Sequence, residues 1–456
     1  MKALILLSSL GVITLLAEIF SFKKVLYPVV LLGIATIFIF NAMDWNTNAL
    51  YFNMMRFDNY AVAFTGVILL VAFLWFLMAQ DFFKEETNKT DHYALVIFAL
   101  AGAVIMVSYT NMAMLFLGIE ILSIPMYILA GSRKEDMLSN ESAFKYLIMG
   151  AFATGFLLFG IVLIYGATGS FDLGEIAAAI ANHPAQIPTI FYVGVLLMLI
   201  GLSFKVSAAP FHFWAPDVYQ GAPTVITAFM STIVKTAAFA AFLRLFSTSF
   251  ASVGSSWQGI LWVMAALTLL VGNITAVLQI STKRMLAYSS VAHAGYMLLG
   301  LLAGNSFSDS AILTYAAAYS IASIATFCII SIIDHAKGND GVDAFNGLAK
   351  SNPFLALVMT IALLSLAGIP PTAGFFAKYY IFTAAFQAGN VGLVLIAIIA
   401  SLIGVYYYFR IIIAMYFKEG ATEKIQVEAN HRVLLTVIAI LTIALGLFPD
   451  CLISLL

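Results

Sequence analysis

The sequence predicts an all-α protein that crosses a membrane many times. Of its 456 residues, 63% are hydrophobic and only 9% are charged, whereas a soluble domain needs roughly 25% charged residues. Apolar runs of about 20 residues, the length of one membrane-spanning helix, recur along the whole chain. The sequence lacks the alternating segments of about ten residues that are typical of a membrane β-barrel. A net charge of −1 also gives no basic surface for nucleic acid, so we expect no nucleic-acid partner.

Fourteen apolar spans account for the chain, and each predicts one transmembrane helix. They lie at 3–20, 25–43, 60–80, 92–108, 112–131, 142–168, 188–209, 223–247, 257–280, 286–303, 310–334, 354–388, 391–417 and 432–454. We expect the seventh to continue in broken form to about residue 217. The first span could be a signal peptide, but it is long and lacks a clear small-x-small cleavage site, so we interpret it as a retained helix.

Two shorter features complete the chain. The stretch "SFDLGEIAAAIANH" (170–183) predicts a solvated connection, in which a short surface helix could form. The two cysteines, Cys328 and Cys451, are far apart in sequence and cannot hold an iron–sulfur cluster or a zinc ribbon. We therefore expect no redox chemistry within this chain.

The lysines and arginines orient the predicted helices. Fifteen of the 21 lie in or beside the loops that follow odd-numbered helices, and three lie on the opposite side. Because cytoplasmic loops are rich in these residues, the odd loops should be cytoplasmic and both termini should face the other side. The remaining three are lysines deep within spans.

Four charged residues lie inside apolar spans: Glu120, Lys205, Lys235 and Lys378. A charge at mid-membrane costs about 3 kcal/mol on insertion scales, so such residues are functional candidates. Each also has a structural interpretation. A lysine near a helix end can extend to the lipid headgroups, and a Glu–Lys pair can simply hold two helices together.

The types of these residues favour proton transfer. One carboxylate faces three amines, and burial together with like-charge repulsion opposes keeping every amine charged. A lysine can alternate between charged and neutral forms, which an arginine cannot do. His293 titrates in a range that suits relay between lysines, although a hydrogen-bonded core histidine is equally consistent. Neighbouring side chains that could order a water chain are Tyr288, Ser289, Ser290 and Tyr296.

Two segments combine proline with lysine: "FKVSAAPFHF" and "GIPPTAGFFAK". They lie in the fourth span of two blocks of five, which are spans 4–8 and spans 9–13. Because five is odd, the second block enters the membrane from the opposite side, which predicts an inverted repeat with broken helices seven and twelve. The predicted organisation is residues 1–91 as helices one to three, 92–247 as the first repeat, 257–417 as the inverted second repeat and 418–456 as the last helix. Kinked helices are common in membranes and are the alternative explanation.

The breaks have a physical use beside the lysines. The prolines of "GIPP" cannot donate to the carbonyls of Leu366 and Ala367, and Pro210 likewise frees the carbonyl of Val206. A freed carbonyl in lipid needs water or a protein donor. We therefore expect hydrated, polar backbone next to a titratable amine at both breaks.

Three stretches carry a family resemblance: "FKVSAAPFHFWAPDVYQGAPTVITAF" (204–229), "STKRMLAYSSVAHAGYMLLG" (281–300) and "LSLAGIPPTAGFFAKYYIF" (364–382). They resemble the antiporter-like, Mrp-related subunits of respiratory complex I, the NADH–quinone oxidoreductase. Within that family, "PDVYQGAPT" is typical of the N branch. The resemblance covers essentially the whole chain and implies two inverted five-helix bundles, helices 4–8 and 9–13.

The resemblance also implies a role for each candidate residue. Glu120 matches the glutamate that pairs with the lysine of the broken seventh helix, here Lys205. Lys235 matches a connecting lysine, His293 lies where a connecting polar residue is expected, and Lys378 matches the residue of the exit half. The expected site is thus a proton relay made of these five residues.

The family further implies that NADH, FMN, iron–sulfur clusters and quinone are bound by other subunits, and that this chain binds no cofactor. The expected partners are neighbouring antiporter-like subunits, small quinone-proximal subunits and the lipid bilayer of a bacterial cytoplasmic (inner) membrane. Alternatives are a subunit of a cation/proton antiporter or membrane-bound hydrogenase, and a passive structural subunit. A b-type cytochrome is disfavoured because only His212 and His293 lie near the membrane interior.

Overall fold

The chain is almost entirely helical. The computed structural model describes residues 1–20, 22–85, 89–182, 187–420 and 424–456. In chain order its helices up to residue 221 are α1 (Lys2–Ile19), α2 (Leu26–Ala42), α3 (Asn59–Met78), α4 (Gln80–Glu85), α5 (Lys89–Ser108), α6 (Met112–Ala130), α7 (Met137–Thr168), α8 (Leu173–Asn182), α9 (Thr189–Lys205) and α10 (Trp214–Gly221). Those that follow are α11 (Thr224–Phe229), α12 (Lys235–Thr248), α13 (Gly254–Val277), α14 (Thr282–Ala303), α15 (Ser308–Lys337), α16 (Leu348–Ser351), α17 (Pro353–Ala367), α18 (Ala373–Gln387), α19 (Val391–Phe417), α20 (Ala429–Leu447) and α21 (Asp450–Ile453).

Twelve helical stretches within the described ranges are long and apolar enough to cross a membrane, which agrees with a multi-pass membrane protein. One of them, Thr224–Thr248, joins α11 to α12 through a π-helical turn at Met230–Val234. Two further apolar segments are each divided into shorter helices, α9 with α10 and α17 with α18. These are the two segments whose prolines predict a break.

Capping residues explain where two helices begin earlier than their apolar spans. The Asp136 side chain accepts a hydrogen bond from the Leu138 amide and starts α7, and the Ser281 side chain accepts from the Arg284 amide and starts α14. Hydropathy reads only the apolar part of a helix, so it places both starts several residues too late.

Three elements differ from the helices and connections that the apolar spans predict. The stretch after α7 folds as α8, which buries Leu173, Ile176 and Ile180 along one face. The last span divides into α20 and α21. A hairpin of β1 (Ala49–Tyr51) and β2 (Met55–Phe57) links α2 to α3, and its Phe-Asn turn lacks the Asn-Gly signal that identifies tight hairpins.

The most buried helices lie at the centre of the molecule. The apolar windows of Thr224–Thr248, α14 and α15 are 100%, 94% and 89% buried, whereas those of α7 and α19 are only 39% buried. The α6 helix packs against α5 and α7, while α14 packs against α13, α15 and α18. The central helices carry Lys235 and His293, which are therefore remote from lipid.

Candidate functional site

Lys205 is the last residue of α9 and is buried, with 6% of its surface exposed. Its Nζ donates hydrogen bonds to Ser123 Oγ at 2.9 Å and to Tyr127 Oη at 3.3 Å. It also lies 5.8 Å from the centroid of the Tyr127 ring. The amine is therefore held on α6 by two neutral hydroxyls, with the aromatic ring beside it.

Glu120 lies on α6, the helix that carries these two hydroxyls, but it does not pair with Lys205 in this structure. It is half-buried, and its Oε1 is buried without a hydrogen-bond partner. The family resemblance implies a Glu120–Lys205 ion pair. Here Lys205 instead binds the hydroxyls one and two turns further along α6.

Lys235 begins α12 directly after the π-helical turn and is only 2% exposed. Its Nζ donates to the carbonyl oxygen and to the Oγ of Ser290, at 2.6 and 2.5 Å. π-Turns interrupt the regular helical ladder and occur often at functional sites. The burial leaves no route for this side chain to reach the lipid headgroups, so the structural interpretation of a surface-seeking lysine fails here.

His293 lies on α14 between two tyrosine hydroxyls. Its Nδ1 is 2.7 Å from Tyr315 Oη, and its Nε2 is 3.1 Å from Tyr408 Oη. Tyr408 Oη is also hydrogen-bonded to Ser289 Oγ. Since neutral imidazole has one donor and one acceptor nitrogen, His293 can receive a proton on one side and release one on the other.

Lys378 on α18 is 7% exposed and points back to the end of α17. Its Nζ donates to the Ala367 carbonyl at 2.7 Å and to Ser401 Oγ at 2.8 Å, and lies 4.9 Å from the Tyr296 ring centroid. A cavity shared with His293 adjoins the amine. Its volume of about 10 Å³, measured as the space open to the centre of a water molecule, gives room for about one water.

The break between α17 and α18 is shaped to hold this lysine. Gly368 ends α17 with φ +82°, and a Cβ on it would lie 2.7 Å from Lys378 Cδ. A Cβ on Gly374 would lie 1.8 Å from the Ser365 carbonyl oxygen, so the two half-helices meet backbone to backbone. The Gly374 amide donates to Ser365 Oγ at 3.1 Å. Only glycine permits both approaches.

The structure joins the second half of the predicted site more closely than the first. Lys235 binds Ser290, the adjacent Ser289 binds Tyr408, and Tyr408 binds His293, which shares a cavity with Lys378. The step between the two serines is adjacency along α14 and not a hydrogen bond. No hydrogen bond between described residues joins Lys205 directly to Lys235. Of the neighbouring side chains expected near His293, Tyr288 lies against Arg284 instead.

Several residues of the site escaped sequence reasoning. They are hydroxyl or aromatic side chains from other helices, namely Ser123, Tyr127, Tyr315, Tyr319, Ser401 and Tyr408. Tyrosine and serine are common in membrane helices, so their presence alone gives no signal. Their role follows only from the distances between helices.

No group of three or more histidine, cysteine, aspartate or glutamate side chains within the described ranges could hold a metal ion. Cys328 is buried and Cys451 is exposed, and both are unpaired thiols.

The sequence and the fold of this chain are similar to those of known membrane proteins. A family model described as NADH:quinone oxidoreductase/Mrp antiporter, TM, matches residues 109–404. NADH-quinone oxidoreductase subunit N of Cytophaga hutchinsonii is 47% identical over 100% of this chain and 99% of that protein. A chain of respiratory complex I from Thermus thermophilus superposes with a TM-score of 0.85 at 33% identity, covering 99% of this chain and 98% of that one. A chain of an archaeal membrane-bound sulfane sulfur reductase gives 0.88 at 28% identity, covering 100% and 96%.

Proposed function

We propose that this chain, which belongs to the family of NADH:quinone oxidoreductase and Mrp antiporter membrane proteins, is the proton-translocating subunit N of a bacterial complex I. The relatives that carry this name match the chain over its full length. The observation that carries the proposal is a row of three lysines, each at most 7% exposed. None of the three has a carboxylate partner among the described residues, so none serves as one half of a static ion pair.

The proposed topology has fourteen crossings, in which the divided pairs α9–α10 and α17–α18 serve as broken helices seven and twelve. Residues 92–247 and 257–417 form two inverted bundles of five, preceded by 1–91 and followed by 418–456. Supporting this, α6 and α14 hold the second place in their blocks and each carries an ionisable residue, while both divided pairs hold the fourth place. The odd loops face the cytoplasm and both termini the other side, since the lysines and arginines concentrate in the odd loops.

The five predicted residues act as the relay. Separation of Glu120 from Lys205 lets Lys205 release its proton toward Lys235. The proton then passes along the serine and tyrosine hydroxyls to His293, because each hydroxyl both donates and accepts. It crosses the shared cavity to Lys378 and leaves toward the outer face. The carbonyl of Ala367 stabilises Lys378 when it is charged.

Electron transfer belongs to other subunits in this proposal, and NADH, FMN, iron–sulfur clusters and quinone are bound there. The chain's own partners are neighbouring antiporter-like and quinone-proximal membrane subunits together with lipid. Large apolar side chains exposed on α7 and α19, among them Phe152 and Leu402, suit either a partner helix or lipid.

A Lys235→Ala substitution tests the relay, with Lys134→Ala as the control because Lys134 is an exposed lysine outside the site. The measurement is NADH-driven proton uptake by inverted membrane vesicles, divided by the rate of NADH oxidation. We expect the ratio to fall for Lys235→Ala and to stay unchanged for Lys134→Ala. An unchanged ratio for Lys235→Ala in a normally assembled complex would exclude the relay.

The second candidate is a subunit of a cation/proton antiporter or of a membrane-bound hydrogenase complex. It is favoured by the close structural likeness to an archaeal respiratory complex other than complex I. Mass spectrometry of the purified complex separates the two. NADH-oxidising and quinone-binding subunits support complex I, whereas a set of small Mrp-type chains or hydrogenase subunits supports the alternative.

A further inference from the structure

The Lys205 ammonium is bound by two hydroxyls of α6, although α6 also carries the Glu120 carboxylate. We propose that Ser123 and Tyr127 form a second docking position for this ammonium, in exchange with Glu120, and that these two hydroxyls are positioning residues of the relay. The inference rests on the proposed function. It adds a defined resting place for Lys205 in the state in which its ion pair with Glu120 is open.

The three docking groups lie on one face of α6. Glu120, Ser123 and Tyr127 are spaced at i, i+3 and i+7, which aligns them along successive turns of a helix. Lys205 Nζ occupies the Ser123–Tyr127 end, at 2.9 and 3.3 Å. Glu120 Oε1, at the other end, is buried without a hydrogen-bond partner. A buried carboxylate oxygen in this condition needs a donor. Lys205 already binds Ser123, one helical turn from Glu120, so we assign this donor role to its ammonium.

Both hydroxyls are free to accept from the amine. Ser123 Oγ donates its own proton to the Ile119 carbonyl at 2.5 Å, so its lone pairs remain for Lys205. Tyr127 reaches its position because residue 150 is glycine. A Cβ on Gly150 would lie 2.3 Å from Tyr127 Oη. The neighbouring α7 helix therefore provides the space into which this hydroxyl fits.

A column of aromatic rings connects the docking position to the broken helix. The Tyr127 ring meets Tyr146 edge-on, with centroids 4.7 Å apart, and Tyr146 stacks on Trp214 at 4.7 Å. Trp214 lies on α10, and its indole Nε1 donates to the carbonyl of Phe204, the residue before Lys205, at 3.1 Å. The Trp214 side chain thus contacts Tyr146, which packs against Tyr127, and the carbonyl of the residue that precedes Lys205.

The same column extends toward the second lysine. Trp214 contacts Tyr219 with ring centroids 6.0 Å apart, and the Tyr219 side chain interacts with Ser290, which binds Lys235. A chain of contacts through Ser290, Tyr219, Trp214 and Tyr146 therefore runs from Lys235 to Tyr127. This gives the relay a physical connection between its first and second lysines where no direct hydrogen bond exists.

The test removes the two hydroxyls while keeping the packing. Ser123→Ala and Tyr127→Phe, singly and together, are compared with Lys205→Ala, which defines the complete loss of this chain's contribution to proton uptake by inverted vesicles. A hydrogen bond to a charged group corresponds to about a tenfold change or more in occupancy. Each single variant should lower the contribution by about that factor, and the double variant should match Lys205→Ala.

Two comparisons separate docking from structural damage. Tyr109→Phe is the matched control, because Tyr109 is fully buried and its hydroxyl donates at 2.8 Å to the Ala241 carbonyl, outside the relay. Ser123→Thr keeps a hydroxyl and should retain proton uptake that Ser123→Ala loses. In a Glu120→Gln background, removing the hydroxyls should cause no further loss, because exchange between the two positions is already broken, whereas independent structural defects would add.

The outcomes distinguish the inference from the function on which it rests. If Ser123→Ala/Tyr127→Phe takes up protons normally while Lys205→Ala does not, the second docking position is overturned and the relay stands. If Lys205→Ala itself takes up protons normally in an assembled complex, the proposed function fails. Should the double variant not assemble, Tyr127→Phe alone decides, since its ring keeps the contact with Tyr146.

Discussion

The Nζ of Lys378 donates a 2.7 Å hydrogen bond to the carbonyl oxygen of Ala367, across the break between α17 and α18. Pro371, four residues after Ala367, has no amide proton, so the usual helical partner of this carbonyl does not exist. Pro371 thus leaves the Ala367 carbonyl without its helical donor, and the Lys378 ammonium takes the place of that donor. A carbonyl released by one residue becomes the ligand of the other.

Gly368→Ala should disrupt this arrangement, with Gly389→Ala as its matched control. Both glycines have left-handed backbones, at φ +82° and +80°, so both substitutions carry a strain of roughly 1–2 kcal/mol. Only at Gly368 would the new Cβ also meet Lys378, at 2.7 Å from Cδ, whereas Gly389 faces open space. We expect NADH-driven proton uptake to fall in Gly368→Ala and to persist in Gly389→Ala. Equal uptake in the two variants would contradict the packing role of Gly368.

Tyr408→Phe should slow transfer between Lys235 and His293. The Tyr408 hydroxyl is the group that joins Ser289 to His293 Nε2, and phenylalanine keeps the ring but not the link. Tyr109→Phe is the control, because Tyr109 is also fully buried and its hydroxyl donates at 2.8 Å to the Ala241 carbonyl, outside the relay. We expect proton uptake to drop about tenfold, equivalent to ~1.4 kcal/mol, in Tyr408→Phe only. The same loss in both variants would point to a packing effect.

Asp217→Asn should loosen α10 with little effect on stability. Asp217 binds Lys145 Nζ at 2.6 Å and Arg284 Nη1 at 2.8 Å, which fastens α10 to α7 and α14. These charges are about a third exposed, so we expect a loss of about 1 kcal/mol or less. Glu141→Gln is the control, because it removes another partner of Lys145 without releasing α10. Proton uptake should fall in Asp217→Asn alone, and high salt should reduce the difference from the native protein.

Asp58→Ala should destabilise the protein more than Asp58→Asn. The Asp58 carboxylate binds the nearly buried Arg244 guanidinium at 2.7 and 3.1 Å and also caps α3 by accepting from the Ala61 amide at 2.8 Å. Asparagine preserves the cap, whose loss costs about 1 kcal/mol. Thermal unfolding of the purified complex measures the order, and equal midpoints for the two variants would argue against the cap.

Residues with an unusual local requirement were predictable from the sequence. Lys235 and Lys378 were identified because a charge in an apolar run has a cost that hydropathy records directly. The break before Lys378 was equally readable, because a proline lacks its amide wherever it occurs. The hairpin between α2 and α3 was not readable, since its turn lacks residues that favour a turn, and its second strand forms a backbone bridge from Met55 to Tyr109, which is distant in sequence.

The sequence alone determined a membrane protein with buried lysines beside two broken helices, because hydropathy, charge and proline act over one or two helical turns. Tertiary structure alone decided the partner of each lysine. Lys205 binds side chains about 80 positions earlier in the chain instead of pairing with Glu120, and Lys235 binds Ser290, 55 positions away. A hydrogen bond forms only within about 3 Å, and that distance depends on how helices rotate and pack against each other, which no single segment specifies.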